Sequence, residues 1–303
     1  MRQMTRQPFR ESWDADAADR RAADAAARAE RDAFARILAR ITRSSGFRIG
    51  DDTMQGLRSV IWERVEARGA ASAAAYLLLL DDPAELAALH NAISIRDTRF
   101  FRTPSQFWLL RDDVLPLLWL RRGASTQLRL WSAGCATGEE AYSLGIVTLD
   151  AAIRTNVAAS PPALIVATDV NPDAMAAAEA GLYSERALGN VPTDIRARYF
   201  DRTGSDFRVS AAVRSLIHVQ RSSLLDPVWP VADGSIDVLF CQNVLRFLPR
   251  EEVRGTVERL CASLASGGYL FLGHGETLPR ADVDLEYIQL PSASFYQKPE
   301  RRT

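Results

Sequence analysis

Residues 131–145, WSAGCATGEEAYSLG, place a glycine loop between an apolar run and a helix. In open α/β sheets a loop of this kind lies beyond the carboxyl end of a strand, where ligands bind. Gly134 follows the run directly and lets backbone approach a ligand, and Gly138 allows a second tight bend. A helix N-terminus favours anions, yet Glu139 and Glu140 stand where a phosphate-binding loop carries lysine and a hydroxyl. Two acids there repel a pyrophosphate, so NAD and ATP fit poorly. A cation fits better: Glu140 can face an ammonium or sulfonium group. S-adenosylmethionine carries both and has no phosphate. The loop alone leaves a second reading level with this one, in which the two acids merely complement the helix dipole.

The flanking sequence alternates strands and helices. LRLWSA (128–133) precedes the loop, and a helix follows to about Ile153. ALIVATD (163–169) reads as a second strand and PDAMAAAEAGLY (172–183) as a helix. SIDVLFCQN (235–243) is a third strand, followed by a helix over 249–268 closed by Gly267-Gly268. YLFLGH (269–274) is a fourth, and LEYIQLP with ASFYQKP reads as an antiparallel hairpin. Such alternation implies a parallel sheet covered on both faces. Residues 184–226 break the rhythm. Their short runs around Phe207–Val209 and Leu216–Val219 suggest a small antiparallel β insertion. Asp169, at the tip of the second strand, reads by itself as a turn or cap residue before Asn171-Pro172; taken with the loop and the third strand tip it reads as an acceptor for ribose hydroxyls.

Upstream the period is helical. FARILARITRSSG places Phe34, Ile37, Leu38 and Ile41 on one face before Gly46. Asp82-Pro83 and Thr103-Pro104 each open a further helix, the second running to Gly123. Residues 1–33 are rich in Ala, Asp and Arg and read as a solvated helix or a disordered arm.

Composition narrows the function. The chain has 303 residues, 47% hydrophobic and 25% charged, with a formal net charge of −1. Overall charge gives no support to a nucleic-acid partner. The 3 cysteines and 3 histidines are scattered, with no metal-binding spacing. No apolar run is long enough to cross a bilayer, and the N-terminus lacks the apolar core of a secretion signal. The expectation is a cytoplasmic, reduced protein that is not membrane-embedded.

Five motifs occur in one order: RDTRFFR (96–102), LWSAGCATGEEAYSLG (130–145), ATDVNPDAMAAAEAGLY (167–183), DVLFCQNVLRFL (237–248) and GGYLFLGHGETL (267–278). By these the chain resembles the CheR family of chemotaxis receptor methyltransferases, over roughly residues 34–298. The resemblance implies an α/β fold: a seven-stranded Rossmann-like methyltransferase sheet, a small all-helical N-terminal domain and an inserted antiparallel β subdomain. Mapped onto this chain, that gives an arm over 1–33, a helical domain with linker helix over 34–122 and a methyltransferase domain over 123–303. It implies transfer of a methyl group from S-adenosyl-L-methionine to glutamate side chains on chemoreceptor or related signalling helices, leaving S-adenosyl-L-homocysteine.

The resemblance also implies a site. Thr98 and Arg102 match positions beside the cofactor and the acceptor. Glu140 matches the acid that meets the cofactor's methionine part, and Asp169 the ribose acid. Leu224 and Cys241 match positions along the adenosine, and Gly134 the loop glycine. Arg96, Ser223, Gln242 and Phe247 occupy site positions with changed residues, where the family commonly has asparagine, asparagine, arginine and tyrosine. Thr103 and Gly275 likewise replace a common glutamate and serine. Arg102, Gln242 and Phe247 are therefore the expected catalytic set. A glutamate acceptor, with a pKa of about 4.3, is already ionised at neutral pH, so no general base is needed. The changes at Gln242 and Phe247 keep a second reading open: a related regulator that binds cofactor and partners with weak or no transfer.

Overall fold

The computed structural model describes residues 8–45, 51–96, 98–157, 162–278 and 283–300. They fall into two compact units, residues 1–96 and 97–303.

The first unit is helical. It comprises α1 (Pro8–Ser45), α2 (Asp51–Ala67), α3 (Ala73–Leu79) and α4 (Pro83–Arg96). Residue 33, the expected end of an arm, lies inside α1. Ile37 and Ile41 on α1 are buried with Leu57, Val60 and Ile61 of α2, as their helical spacing requires. Ser72 caps α3 by accepting from the Ala75 N–H at 3.1 Å. Glu85 is buried and takes two hydrogen bonds from Arg64 Nη2, at 2.8 and 2.7 Å, and one from Tyr76 Oη at 2.7 Å.

The second unit begins with helical turns α5 (Pro104–Leu109) and α6 (Leu115–Arg122), joined by a π-helical turn over Leu110–Val114. Pro116 explains that turn: it has no N–H, and its ring crowds the preceding carbonyls. These helices were expected to belong with the N-terminal domain. The structure instead packs Phe107, Leu110, Leu115 and Trp119 into the same core as Leu130, Val238 and Phe240 of the sheet. The two compact units divide between residues 96 and 97.

The remaining elements are β1 (Leu128–Ala133), α7 (Glu139–Thr155), β2 (Ala163–Asp169), α8 (Pro172–Ala180), β3 (Leu182–Tyr183), α9 (Thr193–Tyr199), β4 (Phe200–Thr203), β5 (Asp206–Val209), α10 (Ala211–Arg214), β6 (Ile217–Arg221), β7 (Ile236–Cys241), α11 (Arg250–Ser263), β8 (Leu264–Leu272), β9 (Glu286–Gln289) and β10 (Ser294–Gln297). Seven strands form one sheet in the order β6-β2-β1-β7-β8-β10-β9. β1, β2, β6, β7 and β8 run parallel, and β10 is antiparallel to both of its neighbours. From β1 the chain proceeds outward through β2 to β6, then returns to β7 on the other side. The crevice beyond the tips of β1 and β7 is thus the topological switch point, where such sheets bind ligands.

Two expectations are corrected. Leu216–Val219 was assigned to the β insertion over 184–226, yet β6 pairs with β2 in the main sheet, from Ile165–Ile217 to Asp169–Arg221. The separate sheet is smaller, in the order β3-β5-β4. A half-buried alternating run fits either place, and only pairing partners distinguish them. Gly267-Gly268 was read as a helix stop. Both lie inside β8, beside a register shift between Ile236 and Val238 of the paired strand. A Cβ on Gly268 would sit 2.9 Å from the Ala265 oxygen and 3.0 Å from the Ile236 oxygen, so the bulge requires glycine.

Candidate functional site

β1 ends at Ala133, and the loop turns through left-handed conformations at Gly134, Ala136 and Gly138, with φ of 78°, 46° and 96°. The Gly134 and Cys135 N–H groups donate to the Thr168 oxygen at 2.7 and 2.9 Å, which fastens the loop to the tip of β2. A Cβ on Gly134 would lie 2.4 Å from Val244 Cγ2, so glycine lets the chain after β7 close against this turn. The Tyr183 hydroxyl donates to the Thr137 oxygen at 2.6 Å and holds the loop from the other side.

Three carboxyl groups meet here, and their partners differ. Asp169 Oδ2 accepts from the Ala136 N–H and Oδ1 from the Asn171 N–H, both at 2.9 Å. Each oxygen keeps a second lone pair, the pattern that ribose hydroxyls require. Burial raises the Asp169 pKa, and these backbone bonds oppose the rise. Glu140 Oε1 accepts from Ser132 Oγ at 2.7 Å. Its carboxyl is pushed up to about 8, chiefly by burial; the Ser132 bond and the nearby Arg102 charge pull it down, while Glu276 adds to the rise. Glu139 turns the other way. It is 4% exposed and accepts from Thr137 Oγ1 at 2.6 Å and Thr98 Oγ1 at 3.2 Å. Burial raises its pKa as well.

This donor set suits S-adenosylmethionine. A carboxyl group raised by burial gains most from a cation brought beside it, because the cation favours the ionised form. Glu140 is one such group and is partly exposed. Its companion Asp169 supplies acceptors for hydroxyls.

The other expected residues are placed as follows. Thr98 and Arg102 are both half-buried beside α7, Thr98 bonded to Glu139 and Arg102 close enough to lower the Glu140 pKa. Gln242 is buried at the tip of β7, and its Nε2 donates to Gln106 Oε1. Gln106 Nε2 donates at 3.1 Å to both the Leu272 and the Ser294 oxygens. Ser223 opens a turn: its N–H donates to Asp226 Oδ2 at 2.7 Å and its Oγ accepts from the Leu225 N–H at 3.1 Å. Leu224 is buried beside Trp131 and Cys241. Phe247 is half-buried on the 3-10 turn Leu245–Phe247. Cys241 is 0% exposed. The alternation of side chains along β7 turns it into the apolar layer under α11. The Arg96 side chain lies outside the described residues.

Three participants escaped the sequence reading. Gln106 sits in a helix whose pattern reads only as apolar. Glu139 stood in the quoted loop but was overshadowed by Glu140. Glu276 Oε2 accepts from the Asn243 N–H at 2.6 Å and the Gly273 N–H at 2.9 Å, tying the tips of β7 and β8 together. Its place in the motif GHGETL was the available signal.

The family model described as CheR methyltransferase, SAM binding domain, matches residues 96–294. Chemotaxis protein methyltransferase 2 of Pseudomonas aeruginosa is 31% identical over 256 residues, covering 83% of this chain and 88% of that protein. Chemotaxis protein methyltransferase 1 of the same organism is 34% identical over 210 residues, covering 68% and 75%. An uncharacterized 104.1 kDa protein of Rhodobacter capsulatus is 34% identical over 230 residues, covering 75% of this chain and 24% of that protein. The chain thus spans about a quarter of that larger relative. Among the described residues no helix is long and apolar enough to cross a membrane.

Proposed function

The chain belongs to the CheR methyltransferase family, and from that premise we propose that it transfers a methyl group from S-adenosylmethionine to glutamate side chains of a chemoreceptor or related signalling protein. The products are a glutamate methyl ester and S-adenosylhomocysteine. The observation that carries this reading is a buried carboxyl, Glu140, bonded to Ser132 on β1 and near enough to the Arg102 guanidinium for that charge to lower its pKa.

When bound, S-adenosylmethionine supplies an electrophilic sulfonium methyl. Glu140 would hold the cofactor's ammonium, and Asp169 would accept from the ribose hydroxyls. Arg102 would hold one oxygen of the incoming carboxylate by charge-assisted hydrogen bonds and leave the other free to react. The acceptor is anionic before it arrives, so no side chain must remove a proton. The protein's task is orientation and removal of water, which can supply about 7–11 kcal/mol of barrier lowering. Gln242 offers an amide where a cation is common in the family, so Arg102 carries the recognition of the carboxylate charge.

The test is transfer of labelled methyl from S-adenosylmethionine to purified cytoplasmic fragments of chemoreceptors, with Arg102→Ala as the control. Base-labile incorporation at glutamate, lost in the variant, is expected. Tight cofactor binding with no transfer to any fragment would overturn the proposal.

A further inference from the structure

The segment 98–102 is fastened to the first turns of α7 at two points. Thr98 Oγ1 donates to Glu139 Oε2 at 3.2 Å, and the Phe101 N–H donates to Ser143 Oγ at 3.0 Å. Glu139 and Ser143 are four residues apart, so they lie one above the other on the same helical face. Ser143 Oγ donates in turn to the main-chain carbonyl oxygen of Glu139 at 2.6 Å, which leaves its lone pair for the Phe101 N–H. Both residues are almost wholly enclosed, at 4% and 0% exposure.

The backbone between these points is strained. Phe101 has φ of 49°, a left-handed conformation that a bulky residue adopts only when its surroundings impose it. The two rings explain the need. Phe100 packs edge-on against Tyr183 and Phe200, with centroids 4.8 and 5.0 Å away. Phe101 packs against Phe107 and Trp108, at 5.4 and 5.0 Å. Adjacent residues enter different aromatic groups, and the chain must turn sharply between them. Arg102 emerges from that turn.

We propose that Glu139 and Ser143 are positioning residues: they hold the strained turn at Phe101 against α7 and so set Arg102 opposite Glu140. The inference rests on the reading that Arg102 receives the acceptor carboxylate. It assigns the neighbouring acids of the glycine loop different tasks. Glu140 serves the cofactor, while Glu139 serves the acceptor arm from beneath. Cofactor and acceptor geometry are thereby built on one helical turn.

The experiment uses the full chain and compares Ser143→Ala, Arg102→Ala and the double variant. Turnover on receptor fragments at saturating cofactor and affinity for S-adenosylhomocysteine are measured. Ser143→Ala is expected to lower kcat about tenfold or more, since small misplacements of a positioning group cost that much. Cofactor affinity stays within about twofold, and the double variant is no slower than Arg102→Ala, because both losses act through one group. Losses that multiply, or unchanged kcat in a folded Ser143→Ala protein, overturn the proposal. Glu139→Ala provides a second route if Ser143→Ala does not fold. It lowers kcat, and Glu139→Gln, which retains an acceptor oxygen, restores it; no loss in Glu139→Ala, or no recovery in Glu139→Gln, overturns the proposal. Hydrogen exchange over residues 98–102 needs no substrate. Faster exchange in Ser143→Ala and Glu139→Ala supports the pin, and unchanged exchange sinks it. If the wild-type protein methylates no fragment, the functional reading fails while the exchange result still judges the pin.

Discussion

Ser132 Oγ donates to Glu140 Oε1 at 2.7 Å, and this one neutral bond does not offset the burial that pushes the Glu140 carboxyl up to about 8. The acid proposed to face the cofactor is therefore held toward its protonated form until a cation approaches.

Cofactor binding is then coupled to proton release. Below the free-state pKa the carboxyl must ionise to meet the ammonium, so affinity rises by up to about tenfold per pH unit. It levels off above that pKa. Calorimetry in buffers of different ionisation enthalpy checks this; pH-independent affinity between 6 and 8, with no proton exchanged, would contradict it. Stability of the unliganded protein moves the other way. A carboxyl raised on folding contributes stability that is present below its unfolded pKa and lost as pH rises through the folded one. Glu140→Gln should therefore raise the melting temperature at alkaline pH while weakening cofactor binding.

Gly134→Ala should damage both the loop and the fold. The new Cβ would lie 2.4 Å from Val244 Cγ2, at a residue with φ of 78°. Overpacking of this kind typically costs about 1–3 kcal/mol, and the strained φ adds to it. Val244→Ala should recover part of the loss by removing the contact but not the backbone strain. Urea unfolding of the single and double variants measures the two shares.

Gln106→Leu should destabilise the protein by about 1–3 kcal/mol, the usual cost of leaving buried polar groups without partners. Its amide serves the Leu272 and Ser294 oxygens and receives the Gln242 Nε2 hydrogen. Because those oxygens can only accept, the Gln106 amide has one orientation, and Gln242 inherits its own from it. Transfer activity should fall further than stability predicts, since Gln242 is then free to turn; equal losses would argue against that link.

In the helical unit, Glu85→Ala should cost near the lower end of the about 3–5 kcal/mol found when one partner of a buried pair is removed. Burial alone would raise the Glu85 pKa, but hydrogen bonds from Arg64 and Tyr76 outweigh it and hold the carboxyl low. A depressed carboxyl contributes stability above its unfolded pKa, lost as pH falls through the folded value. The variant should show a flatter acid-unfolding curve than the wild-type protein, followed by circular dichroism.

Local chemistry made much of the site legible. Gly134, Gly138, Glu140 and Asp169 are spaced along a strand–loop–helix pattern that dictates its own geometry. The helical faces at Ile37 and Ile41 and the strands 128–133 and 163–169 follow from periodicity in the same way. Assignments that depended on remote partners went astray. The run at 217–221 could pair with either sheet. Gly267-Gly268 looks the same to a local reading whether it stops a helix or bulges a strand.

The amino-acid sequence alone determined where the glycine turn and the helix start lie, because Gly134, Gly138 and Glu139 act within a few residues of one another. Only the tertiary structure decided what each acid and amide does there. Glu139 belongs to Thr98 and Glu140 to the crevice, Gln242 belongs to Gln106, and Cys241 is sealed away. Those roles are set by burial and by partners distant in the chain, and hydrogen-bond geometry and desolvation exist only once the chain has packed.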